Sequence, residues 1–385
     1  MRYIFAILIL NAFAASAQIR LSPQAEISVL TLGPWQGQLY TAFGHSAFRV
    51  HDPVNGIDAA YNYGVFDYDR PNFYLNFARG YNVYMLGVMD YPRFEYSYIY
   101  YNRYIHEQVL NLTPNQKQRL FDFLTWNAKP ENRDYFYDYF FDNCATKIPE
   151  VMLEVFGDSV VFHDDHIKTE YSFRELTDLY LQQQPWGDLG IDIGLGLPTD
   201  RKATPYEYMF LPDFVEAGFA NAEVLRPNGK YEPLVRETNI IYESVPEPDA
   251  SSAIHPLMVF TVFLLITLVI SYRDQRQQKL SRRFDTVLFG VCGLLGLLLF
   301  LLWTSTNHQA AAKNLNLLWA LPTHLVVAIA LWRKRKWVRQ YFLVVAVLTL
   351  LLLLFWFVLP QKLHYSLIPF VAAIGVRSWV NYRLR

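Results

Sequence analysis

Two residues of this chain have the type and the setting for covalent chemistry, Cys144 and His45. Cys144 follows Asp142 and Asn143. After it come Ile148, Val151, Met152, Val155 and Phe156, apolar residues at helical spacing that Gly157 brings to an end. With Asn143 as N-cap, the pattern predicts an amphipathic helix with Cys144 in its first turn. Unpaired amide N–H groups and the positive end of the helix dipole favour a thiolate there, and the thiolate is the nucleophile. A free Cys is more commonly a small buried apolar side chain, and that alternative stands beside the reactive one. A thiol nucleophile needs a base, and the first half of the chain offers His45, His51, His106, His163 and His166. His45 sits in Gly44-His45-Ser46 at the start of a predicted strand, whose alternation puts His45, Ala47, Arg49 and His51 on one face. For the other four, a hydrogen bond to a neighbour is the better expectation.

The elements that must position this pair read as one mixed α and β domain over residues 18–242. Residues 26–32, 40–51, 59–66, 82–89 and 104–112 alternate as strands. The second and third of these form a hairpin across Asp52, Pro53, Asn55 and Gly56. A short helix is expected over 73–80. A longer one starts at Thr113, with Pro114 in its first position, Gln116 completing a capping box, and Leu120, Phe121 and Leu124 as its apolar stripe. Helices are also expected over 172–183 and 205–219, with a hairpin over 222–233. Residues 187–200 are Gly-rich and read as a loop. Asp188, Asp192 and Asp200 in it are turn residues, because no regular ligand spacing supports a cation site.

Both ends of the chain point to a membrane. Arg2, a short apolar core and Ala15-Ser16-Ala17 read as a signal peptide over residues 1–17, cleaved after Ala17. No Cys follows the cleavage site, so the protein is not itself a lipoprotein. Cys144 then has no partner in the exported part, and no structural disulfide is expected. Residues 243–253 form a polar, Pro-containing linker. Over residues 254–385 five apolar segments follow (254–271, 286–303, 315–332, 341–359 and 363–380), each near the roughly 20 residues a bilayer crossing needs. Arg273, Arg276, Lys279, Arg282 and Arg283 share one loop. Arg333, Lys334, Arg335, Lys336 and Arg339 share another, and Arg383 and Arg385 lie in the tail. The intervening loops hold only Lys313 and Lys362. This bias places the 18–242 domain outside the cytoplasm and the C-terminus inside. His324, close to Pro322, is the one clear ionisable residue inside a span, either functional or a partner for a freed carbonyl. A hydrophobic fraction of 52% argues against a purely soluble protein, and a net charge of −1 without a basic cluster gives no footprint for nucleic acid.

The motifs Phe43-Gly44-His45-Ser46-Ala47-Phe48-Arg49-Val50, Tyr61-Asn62-Tyr63-Gly64 and Asp142-Asn143-Cys144-Ala145-Thr146-Lys147 together resemble the N-terminal periplasmic domain of Lnb-type lipoprotein N-acyltransferases. The stretch from Gly190-Ile191-Asp192 to Met209-Phe210-Leu211-Pro212 is similar to that family as well, and the likeness spans most of residues 18–233. His before Cys is the chain order of circularly permuted NlpC-type folds, lecithin:retinol acyltransferase among them. The resemblance implies an α+β papain-like exported domain followed by an all-α bundle of five transmembrane helices, held in the bacterial inner (cytoplasmic) membrane. It implies a Cys–His acyl transfer without cofactor or metal, with Cys144 and His45 matching the dyad. The donor would be a phospholipid and the acceptor a diacylglyceryl-Cys lipoprotein. For the group that orients the imidazole, Asn62 is the first candidate and Asp67 the second, each equally readable as a hairpin hydrogen-bonding residue. Asn143 and Ser46, beside the dyad in these motifs, are the substrate-binding candidates.

Two other functions compete. A membrane-tethered peptidoglycan amidase or endopeptidase would use the same pair in a more polar, open groove. A non-enzymatic envelope assembly protein would bind a partner through its spans and leave Cys144 dispensable. The richness in Tyr, Phe and Trp suits an acyl groove or an ordinary aromatic core equally.

Overall fold

The computed structural model describes residues 19–245, 254–333 and 335–385. The expected signal peptide, most of the linker and Lys334 lie outside the described residues.

Period-two alternation sets up an antiparallel run of β1 (Glu26–Leu32), β2 (His45–Asp52) and β3 (Ile57–Val65). Then come α1 (Phe73–Arg79), β4 (Val83–Asp90), α2 (Tyr91–Tyr100), β5 (Ile105–Leu110), α3 (Pro114–Asn127), β6 (Asp134–Phe136) and α4 (Lys147–Phe156). The domain closes with β7 (Val160–Phe162), α5 (Phe173–Tyr180), α6 (Pro185–Gly194), α7 (Pro212–Ala220), β8 (Ala222–Leu225), β9 (Tyr231–Pro233) and β10 (Val235–Tyr242). Seven strands form one antiparallel sheet in the order β10-β5-β1-β2-β3-β4-β6, and β7-β8-β9 form a second, small one.

The two faces of the large sheet explain how the helices are held. Ile27, Val29, Phe48, Val50, Tyr61 and Tyr63 pack on α3 and α4 through Leu120, Leu124, Ile148, Val151 and Met152. Leu30, Leu32, Ala47, Ala60 and Ile105 face the other way, onto Tyr91 and Phe94 of α2. Each buried large side chain contributes about 1.5–3 kcal/mol, so this burial, more than helix propensity, fixes α4 against the sheet. The capping box at Thr113 forms as expected, with Gln116 N–H donating to the Thr113 hydroxyl and Thr113 N–H to the Gln116 side chain.

Several sequence expectations need correcting. The strand expected over 40–51 starts only at His45, because Leu39–Thr41 form a 3-10 turn and Gly44 adopts a positive φ of 78°. A Cβ at Gly44 would lie 2.9 Å from the Leu32 carbonyl oxygen, so the turn into β2 needs glycine. Helix α2 and edge strand β10 carry too many exposed residues for periodicity to reveal them. Most of the expected loop over 187–200 is helix α6 followed by a 3-10 turn, Leu197–Asp200. Glycine weakens a helix by about 1 kcal/mol, but here tertiary contacts outweigh propensity.

Those contacts come from the C-terminal half, which contains α8 (Pro256–Gln277), α9 (Arg282–Ser305), α10 (His324–Ala330), α11 (Lys336–Leu354) and α12 (Ile368–Leu384). Among the described residues α8, α9 and α11 are long and apolar enough to cross a membrane. The segment expected to cross over 315–332 is broken. A 3-10 turn, Leu315–Leu318, is followed by Pro322 and then by the seven residues of α10. The break is satisfied internally: His324 Nε2 donates to the Trp319 carbonyl at 3.1 Å, and the Tyr341 hydroxyl donates to Nδ1 at 2.8 Å. A Cβ at Gly296 would lie 1.8 Å from the Ala320 oxygen, so α9 admits this irregular backbone only beside glycine. At the opposite end of the bundle Arg377 is fully buried, donating to Asp285 at 2.7 and 2.9 Å, to Asp274 at 3.0 Å and to Ser271 at 3.1 Å.

Helix α6 joins the two halves. Leu189 packs in the core of the bundle and Trp186 donates to the Ile254 carbonyl at 2.8 Å. Asn314 donates to the carbonyls of Ile193 (2.8 Å) and Gly194 (3.1 Å), Gln361 to that of Leu195 (2.9 Å), and the Lys362 N–H to the Asp200 carboxylate (2.8 Å). Arg174, on α5, lies fully buried behind this junction. It bridges Asp192 at 2.5 Å and Asp200 at 3.0 Å, the residues that sequence spacing made simple turn residues. A second contact holds α1, where Asn307 N–H donates to Arg79 O at 2.9 Å and His308 Nε2 to Phe77 O at 3.0 Å.

Candidate functional site

The antiparallel register builds the site from below. Phe48 pairs with Tyr61, so continuing that register sets Ala47 opposite Asn62 and His45 opposite Gly64, all on one face. Asn62 is then the diagonal neighbour of His45, a separation that side chains can span. The His45 Nε2–H donates to Asn62 Oδ1 at 2.5 Å. Because that oxygen only accepts, Nε2 carries the proton and Nδ1 is the nitrogen left to exchange one with a thiol. Gly64, with a φ of 88°, leaves empty the space a side chain would fill. A Cβ there would lie 3.3 Å from Cys144 Cβ and 3.9 Å from His45 Cε1. The thiol thus enters the sheet where the strand lacks a side chain.

Cys144 lies in the turn that leads into α4, and the helix itself begins three residues later at Lys147. Asn143 still does the capping work, its Oδ1 accepting from the N–H groups of Ala145 (2.8 Å) and Thr146 (3.0 Å). Its Nδ2 donates to Tyr139 O and Phe210 O, both at 2.9 Å, so this side chain is fully engaged in shaping the turn. Ser46 faces away from His45 and is fully buried. Neither substrate-binding candidate therefore offers a side chain to a ligand. Asp67 accepts from the Asp69 N–H within a turn, which leaves Asn62 as the group on the imidazole. His51, His106 and His163 lie against Asp58, Glu216 and Glu223, in line with structural roles.

Electrostatics couples the pair. Burial pushes the Cys144 thiol up, but the charge and hydrogen bond of His45, with the backbone N–H groups of Ser46 and Ala145, bring it below its ordinary value. Burial pushes His45 down, while Cys144 and the hydrogen bond to Asn62 carry it above its ordinary value. Both shifts act in the direction of a thiolate beside an imidazolium. Iodoacetamide is expected to alkylate Cys144 at a pH where a free thiol is still protonated. His45→Asn removes the cation and leaves the burial, so the midpoint of alkylation rate against pH moves up. Asn62→Ala moves it the same way by less, because the imidazolium loses one hydrogen bond. Mass spectrometry of the Cys144 peptide across pH reads both shifts, and an unchanged midpoint in His45→Asn would rule out the ion pair.

Sequence reasoning missed the aromatic walls. The ring of Tyr98 on α2 stacks on His45 at 6.4 Å, nearly parallel. Tyr137 lies 3.7 Å from the empty Gly64 position and stacks on Tyr84 at 4.2 Å. Behind Tyr84 opens a cleft of about 360 Å³ on the α1 side that contacts the bundle, lined by the aromatic Phe73, Phe77, Tyr81 and Tyr84 and by the polar Arg70, Asn76 and Asn82. Tyr is common throughout this chain, and no periodicity marks these members of it. Among the described residues no group of His, Cys, Asp and Glu is arranged to hold a metal ion.

Comparison with known proteins agrees with this two-part build. Residues 15–178 match the family described as the Lnb N-terminal periplasmic domain, and residues 248–385 match the Lnb transmembrane domain. No curated protein and no solved structure matches the chain.

Proposed function

The chain belongs to the Lnb-type family, a family of membrane-associated proteins, and on that premise we propose that it is a cysteine-dependent lipoprotein N-acyltransferase. The observation that carries this reading is the connected set Asn62–His45–Cys144, in which Asn62 fixes the imidazole and the imidazole lowers the thiol. The Cys144 thiolate attacks an ester carbonyl of a membrane phospholipid, and a carbon–sulfur bond forms as the bond between the acyl carbon and the glycerol oxygen breaks. His45 gives its proton to the departing glycerol oxygen, leaving an acyl-thioester and a lysophospholipid. The α-amine of a diacylglyceryl-Cys lipoprotein then attacks the thioester, and its proton passes by way of His45 to the sulfur. The Ser46 N–H, which contributes to lowering the thiol, is placed to stabilise the tetrahedral oxyanion.

The cleft behind Tyr84 offers an aromatic wall of Phe73, Phe77 and Tyr81 along which an acyl chain can lie, and this supports the lipid donor. Docking of α1 and α6 on the bundle supports a site held at lipid height. In this reading the chain lies in the bacterial inner membrane with its first domain periplasmic. It crosses five times, the broken 315–332 segment and the 17-residue α12 included, and ends in the cytoplasm. The imidazole on a strand, the thiol at the turn into a packed helix and His preceding Cys support a circularly permuted papain-like fold. Intact-mass analysis of the purified protein mixed with phospholipid tests the first step. One added acyl mass on Cys144, removed by neutral hydroxylamine, is expected; no adduct, with Cys144 alkylatable, would contradict the thioester route.

A further inference from the structure

Arg103 stands between α2 and β5 and is only 8% exposed. Its Nε donates to the Gly33 carbonyl at 2.6 Å, and its backbone N–H donates to Tyr98 O at 2.9 Å. The guanidinium carbon lies 4.5 Å from the centre of the Tyr98 ring, the same ring that stacks on His45. Nη2 is buried and has no hydrogen-bond partner among the described residues, and no carboxylate there pairs with Arg103. The buried Arg174 and Arg377, by contrast, each hold two carboxylates. A buried cation one ring from the His45 imidazole, with a free donor, is incomplete without an anion.

We propose that Arg103 seats the phosphodiester of the glycerophospholipid donor while the donor's ester carbonyl lies at Cys144. This rests on the acyl-transfer reading above. Of the two substrates only the donor carries a phosphate; the acceptor brings a thioether, neutral esters and an amine. In a glycerophospholipid the phosphate and an acyl ester lie on neighbouring carbons of one glycerol, so a cation close to the nucleophile can hold the first while the second reacts. Guanidinium is suited to the task, since its planar donors match two phosphate oxygens at once. The oxyanion does not need this cation, because the Ser46 N–H is aimed at the reacting centre. The thioester step breaks the ester bond and leaves the phosphate on the lysophospholipid, so Arg103 grips both donor and leaving product. The acyl chain stays on Cys144 when that product departs, which clears the site for the amine.

The test compares two acyl donors on the full-length protein in detergent micelles: phosphatidylethanolamine, and p-nitrophenyl octanoate, a neutral activated ester. Arg103→Met is expected to lower kcat/KM for phosphatidylethanolamine about 10- to 100-fold, the loss of one charge-assisted hydrogen bond, mainly through KM. Its loss with p-nitrophenyl octanoate is expected to be far smaller, which also shows that the variant is folded. Arg103→Lys, keeping the charge without the planar fork, is expected to recover part of the difference. Equal losses with both donors would overturn the assignment and make Arg103 a positioning residue for the His45 stack. No loss with either would overturn it outright. Failure of the acyl-transfer reading looks different, since the wild type itself would then form no thioester from phosphatidylethanolamine.

Discussion

Cys144→Ala is expected to abolish acyl-enzyme formation, and His45→Ala to slow it by about 10²–10⁴-fold, the range over which a positioned base accelerates a reaction. The two losses differ in kind. Alanine at 144 removes the atom that forms the bond. Alanine at 45 leaves the sulfur but removes what offsets its burial, so the thiol rises above its ordinary value and the thiolate fraction falls. The His45→Ala deficit should therefore shrink as pH rises, as hydroxide does what the imidazole did, whereas the Cys144→Ala deficit should be flat. Cys144→Ser should fall close to alanine, because a hydroxyl is far harder to deprotonate than a thiol. Single-turnover acylation followed by intact mass separates these cases. A His45→Ala enzyme as fast as wild type at neutral pH would remove His45 from the chemistry.

Arg174→Leu is expected to destabilise the protein by about 3–5 kcal/mol, the cost of stranding buried charges when one partner is removed. Arg174 is fully buried, and its guanidinium bonds Asp192 (2.5 Å), both oxygens of Asp200 (3.0 Å each) and the Thr199 hydroxyl (3.2 Å). Asp200 in turn accepts from the Lys362 N–H, and the Asp192 carbonyl from Asn316 at 3.2 Å, so the cluster ties the N-terminal domain to the bundle. The loss should thus extend beyond local packing and loosen α6 from the membrane half. Arg174→Leu combined with Asp192→Asn and Asp200→Asn removes the stranded charges and should recover part of the stability. Urea-dependent proteolysis of the detergent-solubilised protein measures the loss. Hydrogen exchange at residues 185–200 locates it. Equal stability of Arg174→Leu and wild type would mean that the cluster is not what holds the junction.

How far the sequence revealed this arrangement depends on how local each signal was. The capping box at Thr113, the alternation of β1 and the apolar stripe of α4 are short-range patterns, and each forms where its residues predict. His45, Asn62 and Cys144 were legible for a related reason: strand alternation and a cap restrict where each side chain points, and the family motifs named the rest. Long-range effects stayed hidden. Four glycines in 187–200 read as a loop, and only the bundle surface beneath Leu189 and Ile193 makes that stretch a helix. Pro322 gave a hint of the broken third segment, but the carbonyl His324 satisfies belongs to Trp319 on the far side of the break. Ser46 reads as a site residue by adjacency to His45, yet period two turns its side chain to the opposite face and leaves only its N–H at the sulfur. Arg103 sits in no motif at all. Its place beside Tyr98 follows from the turn between α2 and β5, neither the helix nor the turn being marked by periodicity.

The most direct measurement is mass spectrometry of a lipoprotein N-terminal peptide from cells that lack their own N-acyltransferase and express this chain. Wild-type, Cys144→Ala and His45→Ala forms are compared, each checked for export to the membrane. A third acyl chain on the N-terminal Cys with the wild type, absent with both variants, is the predicted result. An unchanged diacyl peptide with correctly exported wild type would contradict the transferase, and altered muropeptides in those cells would then identify a hydrolase.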